Sequence, residues 1–132
     1  AKKNKPGRYK GLIESIGTTT TDSPEYIGIL TQRIPHLRSE LLKIVQEGGY
    51  DAIIFPTMSC PASVIHGKSD KNYICKSVDS YAASYIASST GFPEITVPAG
   101  KAVGNVPVGF SFMGKAGDDL KIMQFAYQFE KK

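Results

Sequence analysis

The sequence predicts an α/β fold in which a partial mixed sheet is covered by helices. Three patterns carry this prediction: apolar residues at helical spacing, a short apolar run closed by a proline, and a segment of strict alternation. Helices and strands that each have one apolar face bury it by packing in layers. With 132 residues, 41% of them hydrophobic and 21% charged, the chain has the size and composition of one ordinary domain.

Residues 1–22 are a basic segment that we expect to be flexible. The first ten residues carry positive charges and no negative one, whereas the remainder of the chain is close to neutral. The positive residues are Lys2, Lys3, Lys5, Arg8 and Lys10. A basic tail can bind phosphate groups, but no set of stacking aromatic residues is interleaved with it, so we expect a solvated terminus and no nucleic acid partner.

Residues 24–49 predict two helices separated at Pro35. Asp22 and Ser23 are residue types that accept hydrogen bonds from the free amides at the start of a helix. Pro35 lacks a backbone donor and clashes with the preceding turn, which predicts a kink or a restart of the helix. Gly48 follows the second apolar stripe and predicts the end of the second helix.

A buried strand, a long loop and a further helix are predicted next. Residues 52–55 are all apolar and are closed by Pro56, which is the pattern of a buried strand. Residues 56–72 have no sustained period, and loops of that length within a compact domain tend to be functional or mobile. Apolar residues then recur at helical spacing and predict a buried helical face. They are Val78, Tyr81, Ala82, Tyr85 and Ile86.

The last third of the chain predicts a β-hairpin followed by a helix. Residues 95–97 form the first strand and residues 101–105 the turn. In residues 106–113 the large apolar side chains occupy every second position, which is the period of a paired strand. Asp118 favours the amino end of a final helix that extends to Glu130. Three short strands cannot close on themselves, so we expect open sheet edges or further strands elsewhere.

Three segments together resemble the carboxy-terminal end of amidase signature family hydrolases. They are YDAIIFPTMSCPAS, GFPEITVPAG and VPVGFSFMG, at residues 50–63, 91–100 and 106–114. In that family a strand leading into a Pro-Thr loop, a Gly-x-Pro turn, a strand ending in Pro-Ala-Gly and a Pro-Val-Gly strand occur in this order. The resemblance implies that residues 23–132 are the carboxy-terminal segment of an amidase domain. It also implies a parent that hydrolyses carboxamides through a serine acyl-enzyme without a metal or organic cofactor.

The Gly/Ser-rich nucleophile region of the family has no counterpart in this sequence, which contains neither a G-x-S-x-G nor an S-x-x-K motif. We therefore predict no catalytic residue here and no activity of the chain alone. In the resembling enzymes the region after the buried strand lies near the acyl pocket, which implies contact with the substrate. The candidate substrate-binding residues are Thr57, Met58, Ser59 and Cys60. The alternative interpretation is that they merely end the strand.

Two cysteines and a histidine offer alternative chemistry. Cys60 and Cys75 are fifteen positions apart without a C-x-x-C pair, so we expect reduced thiols in a cytoplasmic protein rather than a zinc ribbon or a disulfide scaffold. A cysteine hydrolase could be built on Cys60 with His66, but no acidic residue is marked out to orient the histidine. The spacing of Cys60, His66 and Cys75 matches no familiar zinc site, so we expect no metal.

The expected partners follow from the resemblance and from the open sheet edges. They are the missing amino-terminal part of the same polypeptide, a small amide substrate in the parent and, for the segment alone, a further copy of itself. No apolar run approaches the length of a membrane span, so we expect no membrane contact. Two alternatives stay open: the tail of the amidase subunit of a tRNA-dependent amidotransferase, and a free-standing α/β interaction module.

Overall fold

The computed structural model describes residues 6–16, 20–65, 67–75 and 81–131. The helices are α1 (Pro6–Ser15), α2 (Pro24–Gly28), a π-helical segment (Ile29–Arg33), α3 (Ile34–Gly48), α4 (Ser84–Thr90) and α5 (Asp119–Glu130). The strands are β1 (Ile53–Pro56), β2 (Glu94–Ala102) and β3 (Val106–Met113). The chain divides into two compact units, Ala1–Arg38 and Ser39–Lys132. Within the described residues, no helix combines the length and the apolar character that crossing a membrane requires.

The first unit is helical throughout its regular elements. Ser23 caps α2, because its hydroxyl oxygen accepts a hydrogen bond from the backbone N–H of Tyr26 at 3.2 Å. The α-helix gives way to π-helical geometry and restarts at Ile34, one residue before Pro35, which confirms the predicted restart. Within residues 1–22, Pro6–Ser15 is helical; the flexibility of residues 1–22 stays a prediction.

The second unit contains an antiparallel sheet with the strand order β1-β3-β2. β3 is central, with Met113 opposite both Ile53 on β1 and Glu94 on β2. The β2–β3 turn is closed by the Asn105 N–H, which donates to the Ala102 carbonyl at 3.1 Å. The predicted hairpin and the α/β class are confirmed, and both pairings in the described part of the chain are antiparallel.

Helices cover the sheet on both faces. On one face Ala87, Phe92 and Met113 form the core, and five half-buried residues pack against it. They are Leu41, Leu42, Ile53, Phe55 and Ile86. On the other face α5 contributes the buried residues Ile122 and Ala126. Alongside them lie three phenylalanine rings with centroids 5.5 to 5.8 Å apart, those of Phe110, Phe112 and Phe129.

The predicted helical face that begins at Val78 is wrong in its position. Val78 lies outside the described residues, and α4 begins only at Ser84. Tyr81 and Tyr85 are more than half exposed, whereas the buried residues of α4 are the small Ala87 and Thr90. Ile86 is the member of the predicted face that packs against the core, and in this seven-residue helix it contacts the core beside the small Ala87.

Candidate functional site

Thr57 directly follows β1, and its hydroxyl belongs to a group of three that we call the hydroxyl cluster: Thr57, Thr96 and Ser111. Thr57 Oγ1 lies 2.8 Å from Ser111 Oγ and 3.4 Å from Thr96 Oγ1. The Thr96 and Ser111 hydroxyl oxygens are 3.1 Å apart. Ser111 is completely buried, Thr57 is half-buried and Thr96 is exposed. The cluster therefore connects all three strands and extends from the protein interior to its surface.

The sheet register explains why these three side chains meet. Thr96 and Phe55 both lie opposite Ser111, and Thr57 is two residues beyond Phe55, so the three hydroxyls share one face. The Thr57 N–H donates to the Gly109 carbonyl at 3.1 Å, which continues the β1–β3 pairing by one residue. A Cβ atom on Gly109 would lie 2.7 Å from Thr96 Cγ2 and 2.9 Å from Thr57 Oγ1. Glycine at this position leaves room for the cluster.

Cys60 and Cys75 form a disulfide, which corrects the prediction of reduced thiols. Their Cα atoms are 5.7 Å apart, within the range that a disulfide requires. The sequence did not indicate the bond because pairing depends on how the loop between the cysteines folds back, and spacing alone does not determine that. Since the sulfurs are bonded to each other, Cys60 has no thiol to act as the nucleophile of a cysteine hydrolase.

The proposed partner of that thiol, His66, lies outside the described residues. The described residues contain no group of three or more side chains suited to hold a metal ion. The zinc site considered from Cys60, His66 and Cys75 loses its thiolate ligands to the disulfide.

The loop closed by the disulfide lines a cavity of about 320 Å³. The lining consists of residues 61–65, 70 and 72–75, together with Ala102, Val103 and Val106 at the end of the hairpin. Aliphatic side chains dominate it, and three of them are more than three-quarters exposed: Ile65, Ile74 and Val103. The loop and the end of the hairpin together form an apolar concavity that is open to solvent.

The four predicted site residues have different surroundings. Thr57 belongs to the hydroxyl cluster, Met58 is half-buried, Ser59 is exposed, and Cys60 is 5% exposed and disulfide-bonded. None of them lines the cavity, which begins at Pro61. The prediction that they contact substrate stays a prediction.

Sequence reasoning missed Thr96 and Ser111. The signal for Ser111 was its place in the alternation of β3, where it shares the inward face with Met113. A polar residue at such a position needs a hydrogen-bond partner. Thr96 could be identified as that partner only once the register of β2 against β3 was known.

Comparison with known proteins decides the family. Residues 13–123 match the model of the Amidase family, which is most of the chain. The chain belongs to this family. It is 34% identical over 119 residues to a glutamyl-tRNA(Gln) amidotransferase subunit of Pseudothermotoga lettingae, a match that covers 88% of this chain and 24% of that protein.

Solved structures agree with this family assignment. The native peptide amidase from Stenotrophomonas maltophilia superimposes with a TM-score of 0.60 at 26% identity, over 92% of this chain and 23% of that one. The corresponding glutamyl-tRNA(Gln) amidotransferase subunit from Thermotoga maritima gives 0.57 at 26% identity, over 89% and 25%. The chain thus spans about a quarter of the length of these amidase relatives. The resemblance to amidase signature enzymes is confirmed.

Proposed function

We propose that this chain is the carboxy-terminal segment of an amidase whose parent hydrolyses carboxamide C–N bonds through a serine acyl-enzyme. Residues 23–132 would be the amidase segment, and the nucleophile would lie in the rest of the polypeptide. The order of the sequence motifs, the family match and the quarter-length coverage of the relatives support this proposal. Within this parent amidase the chain would contribute sheet strands, covering helices and part of the substrate site. The parent's reaction would require no metal or organic cofactor.

The substrate-binding part would be the turn of Thr57, Met58, Ser59 and Cys60. The observation that carries this assignment is that the turn is fixed at both ends. Thr57 is held by the hydroxyl cluster and a backbone hydrogen bond, and Cys60 is held by burial and the disulfide. A segment that is already ordered loses little entropy when a substrate binds to it.

The proposal is tested by ammonia release from simple aliphatic and aromatic carboxamides. We expect turnover by the full-length gene product and none by the 132-residue chain, because its sequence lacks the Gly/Ser-rich nucleophile region of the family. In the full-length protein, Thr57→Val should raise KM about tenfold with a smaller change in kcat, since it removes a positioned hydroxyl and little else. Turnover by the chain alone would contradict the assignment of catalysis to residues outside it.

A second candidate function is the amidase subunit of a tRNA-dependent amidotransferase. The curated relatives that are named as glutamyl-tRNA(Gln) amidotransferase subunits favour it. The same assay separates the two functions. A free amidase releases ammonia from simple amides without further components, whereas a transferase subunit would require its partner proteins and charged transfer RNA.

Two further predictions belong to this proposal. We propose that the isolated segment self-associates through its open sheet edges, because Ile54 on the edge strand β1 is 57% exposed. We also retain a cytoplasmic location as a prediction. The Cys60–Cys75 disulfide counts against it, because such bonds persist mainly in oxidising compartments. Alkylation of the protein in fresh cell extract, with and without reductant, tests the location through the thiol state.

A further inference from the structure

The Cys60–Cys75 disulfide joins the proposed substrate turn to the loop that follows it. Cys60 is the last residue of the turn, and Cys75 ends the described part of the loop. Cys60 is 5% exposed, and further chain packed against it can only lower that value. The Cys75 sulfur also lies 3.6 Å from the Ser59 carbonyl oxygen. A change in the oxidation state of the pair therefore alters contacts of both Ser59 and Cys60.

The two ends of the turn are held by different means. At Thr57 the backbone N–H donates to the Gly109 carbonyl at 3.1 Å, and the hydroxyl oxygen lies 2.8 Å from that of Ser111. This end is thus tied to β3 by hydrogen bonds, whereas the Cys60 end has a covalent link to the loop. Because neither contact of Thr57 involves a sulfur atom, reduction leaves Thr57 in place and releases the other end.

The loop itself does little to keep the two sulfur atoms together. The described residues between the cysteines form no helix or strand. The Tyr73 N–H donates to the carbonyl of Asp70, a near neighbour, and the Tyr73 hydroxyl reaches the Pro61 carbonyl at 3.3 Å, which is long for a hydroxyl hydrogen bond. The fewer contacts that hold two thiols together, the more loop entropy the reduced form regains, and the more easily the disulfide is reduced.

We propose that Cys60 and Cys75 form a reversible thiol–disulfide switch that regulates substrate affinity at the turn of residues 57–60. This inference rests on the proposed amidase function, because it concerns the regulation of the same site. In the oxidised form the turn is held at both ends and loses little entropy when substrate binds. In the reduced form residues 58–60 regain backbone freedom that substrate binding must remove, so the affinity for substrate falls.

The switch operates by thiol–disulfide exchange with a small thiol of the glutathione class. Because Cys60 is buried, the thiolate attacks the Cys75 sulfur and expels the Cys60 thiolate, which takes up a proton. A second small thiol then displaces the first from Cys75, so two protein S–H groups replace the S–S bond and the small thiols leave as their own disulfide. Two electrons pass to the protein, and the reverse exchange restores the bond. The predicted cytoplasmic location fits such a bond, because cytosolic disulfides are usually transient or redox-sensing.

The test equilibrates the full-length gene product with mixtures of reduced and oxidised glutathione. At each ratio, acid quenching, alkylation and mass spectrometry give the oxidised fraction of the cysteine pair, and ammonia release from a simple carboxamide gives KM and kcat. We expect KM to rise about tenfold as the bond is lost, a factor comparable to restoring the freedom of about one backbone residue. The value of kcat should change less than about twofold, because a loss of folded enzyme would lower kcat and leave KM unchanged.

The double variant Cys60→Ala with Cys75→Ala is the matched control. Its KM should equal that of the reduced wild type at every glutathione ratio, and any redox response that it retains comes from other cysteines of the parent. Early hydrogen exchange of residues 58–60, which reports local opening, should be faster in the double variant and the reduced wild type than in the oxidised wild type. The Thr57 amide should stay protected. If the double variant fails to fold, Cys75→Ser, which keeps the buried thiol, replaces it.

Each outcome decides the inference. A bond that survives an excess of reduced glutathione under native conditions, or a KM that does not follow the oxidation state, overturns it. If the gene product hydrolyses no carboxamide, the proposed function fails and hydrogen exchange still decides the switch. Faster exchange of residues 58–60 on reversible reduction would then keep a redox-controlled turn, and unchanged exchange would overturn the switch as well.

Discussion

Breaking the Cys60–Cys75 disulfide should destabilise the second unit and loosen the wall of its cavity. The described residues between the two cysteines form no helix or strand. Within the loop, the Tyr73 hydroxyl donates a hydrogen bond of 3.3 Å to the Pro61 carbonyl, which lies next to Cys60. A single neutral hydrogen bond of that length contributes little. The covalent bond is therefore the principal cross-link between the two ends of the loop.

The magnitude follows from the length of the loop. The cysteines are 15 positions apart, and closing a loop of that size in the unfolded chain corresponds to about 3 kcal/mol at 25 °C. The entropy of unfolding of the second unit, Ser39–Lys132, is roughly 0.2 kcal/mol/K. Reduction should therefore lower the melting temperature of this unit by about 15 °C.

The assay is thermal unfolding of the chain with and without a phosphine reductant, followed by circular dichroism. The matched control is the double variant Cys60→Ala with Cys75→Ala, in which the reductant should have no effect. Hydrogen exchange of residues 61–65 and 67–75 should accelerate in the reduced wild type and in the double variant alike.

Two results would refute the reasoning. If iodoacetamide labels both cysteines of the unfolded protein without reductant, the bond does not form. If the bond forms but reduction leaves the melting temperature unchanged, the unfolded chain was already compact enough that the cross-link removes no entropy from it.

Three other predictions concern the second unit. Gly109→Ala should cost about 1–3 kcal/mol in urea unfolding, because the added methyl group meets two β-branched threonines; an unchanged midpoint would contradict the close packing of the cluster. Lys121 donates to Asp51 and holds the pKa of that carboxyl below its usual value, so the pair should stabilise the fold above about pH 4 and lose its effect as pH falls through the lowered pKa. NMR titration should show the Asp51 pKa rising in Lys121→Met, while the lowered pKa of Asp22, which depends on Thr20, stays constant. Light scattering should show a dimer or larger species for the isolated chain, and a monodisperse monomer at high concentration would contradict self-association.

The sequence was a good guide wherever short-range periodicity decides the structure. Alternation in residues 106–113 predicted a paired strand, and the observed β3 places Ser111 and Met113 on the face opposite Phe112. The apolar run before Pro56 predicted the position of β1 to within one residue, but the prediction that the strand is buried is wrong, because β1 is an edge strand in which half-buried and exposed residues alternate. In both cases the side-chain period of a strand is a local property of the backbone.

Features that depend on contacts between distant residues could not be predicted in the same way. The disulfide joins positions whose proximity results from the path of an irregular loop. The hydroxyl cluster joins Thr57 to Ser111 across 54 positions, and its third member becomes recognisable only from the β2–β3 register. A short helix such as α4 is oriented by packing against Phe92 and Met113, which its own sequence does not encode.

Hydrogen bonding within the hydroxyl cluster fixes the orientation of its side chains more than it adds to stability. A completely buried serine contributes little net stability even when it is hydrogen-bonded, and replacing paired polar groups with apolar groups of the same shape can be neutral or stabilising. Valine at positions 57 and 96, with alanine at position 111, would fill the same space without needing matched hydrogen-bond donors and acceptors. What the hydroxyls provide, and apolar groups cannot, is a fixed direction for the hydrogen and lone pairs of Thr57 and Thr96. Fixed hydrogen-bond directions matter where a ligand must be bound in one orientation, and this cluster stands where the loop leaves β1.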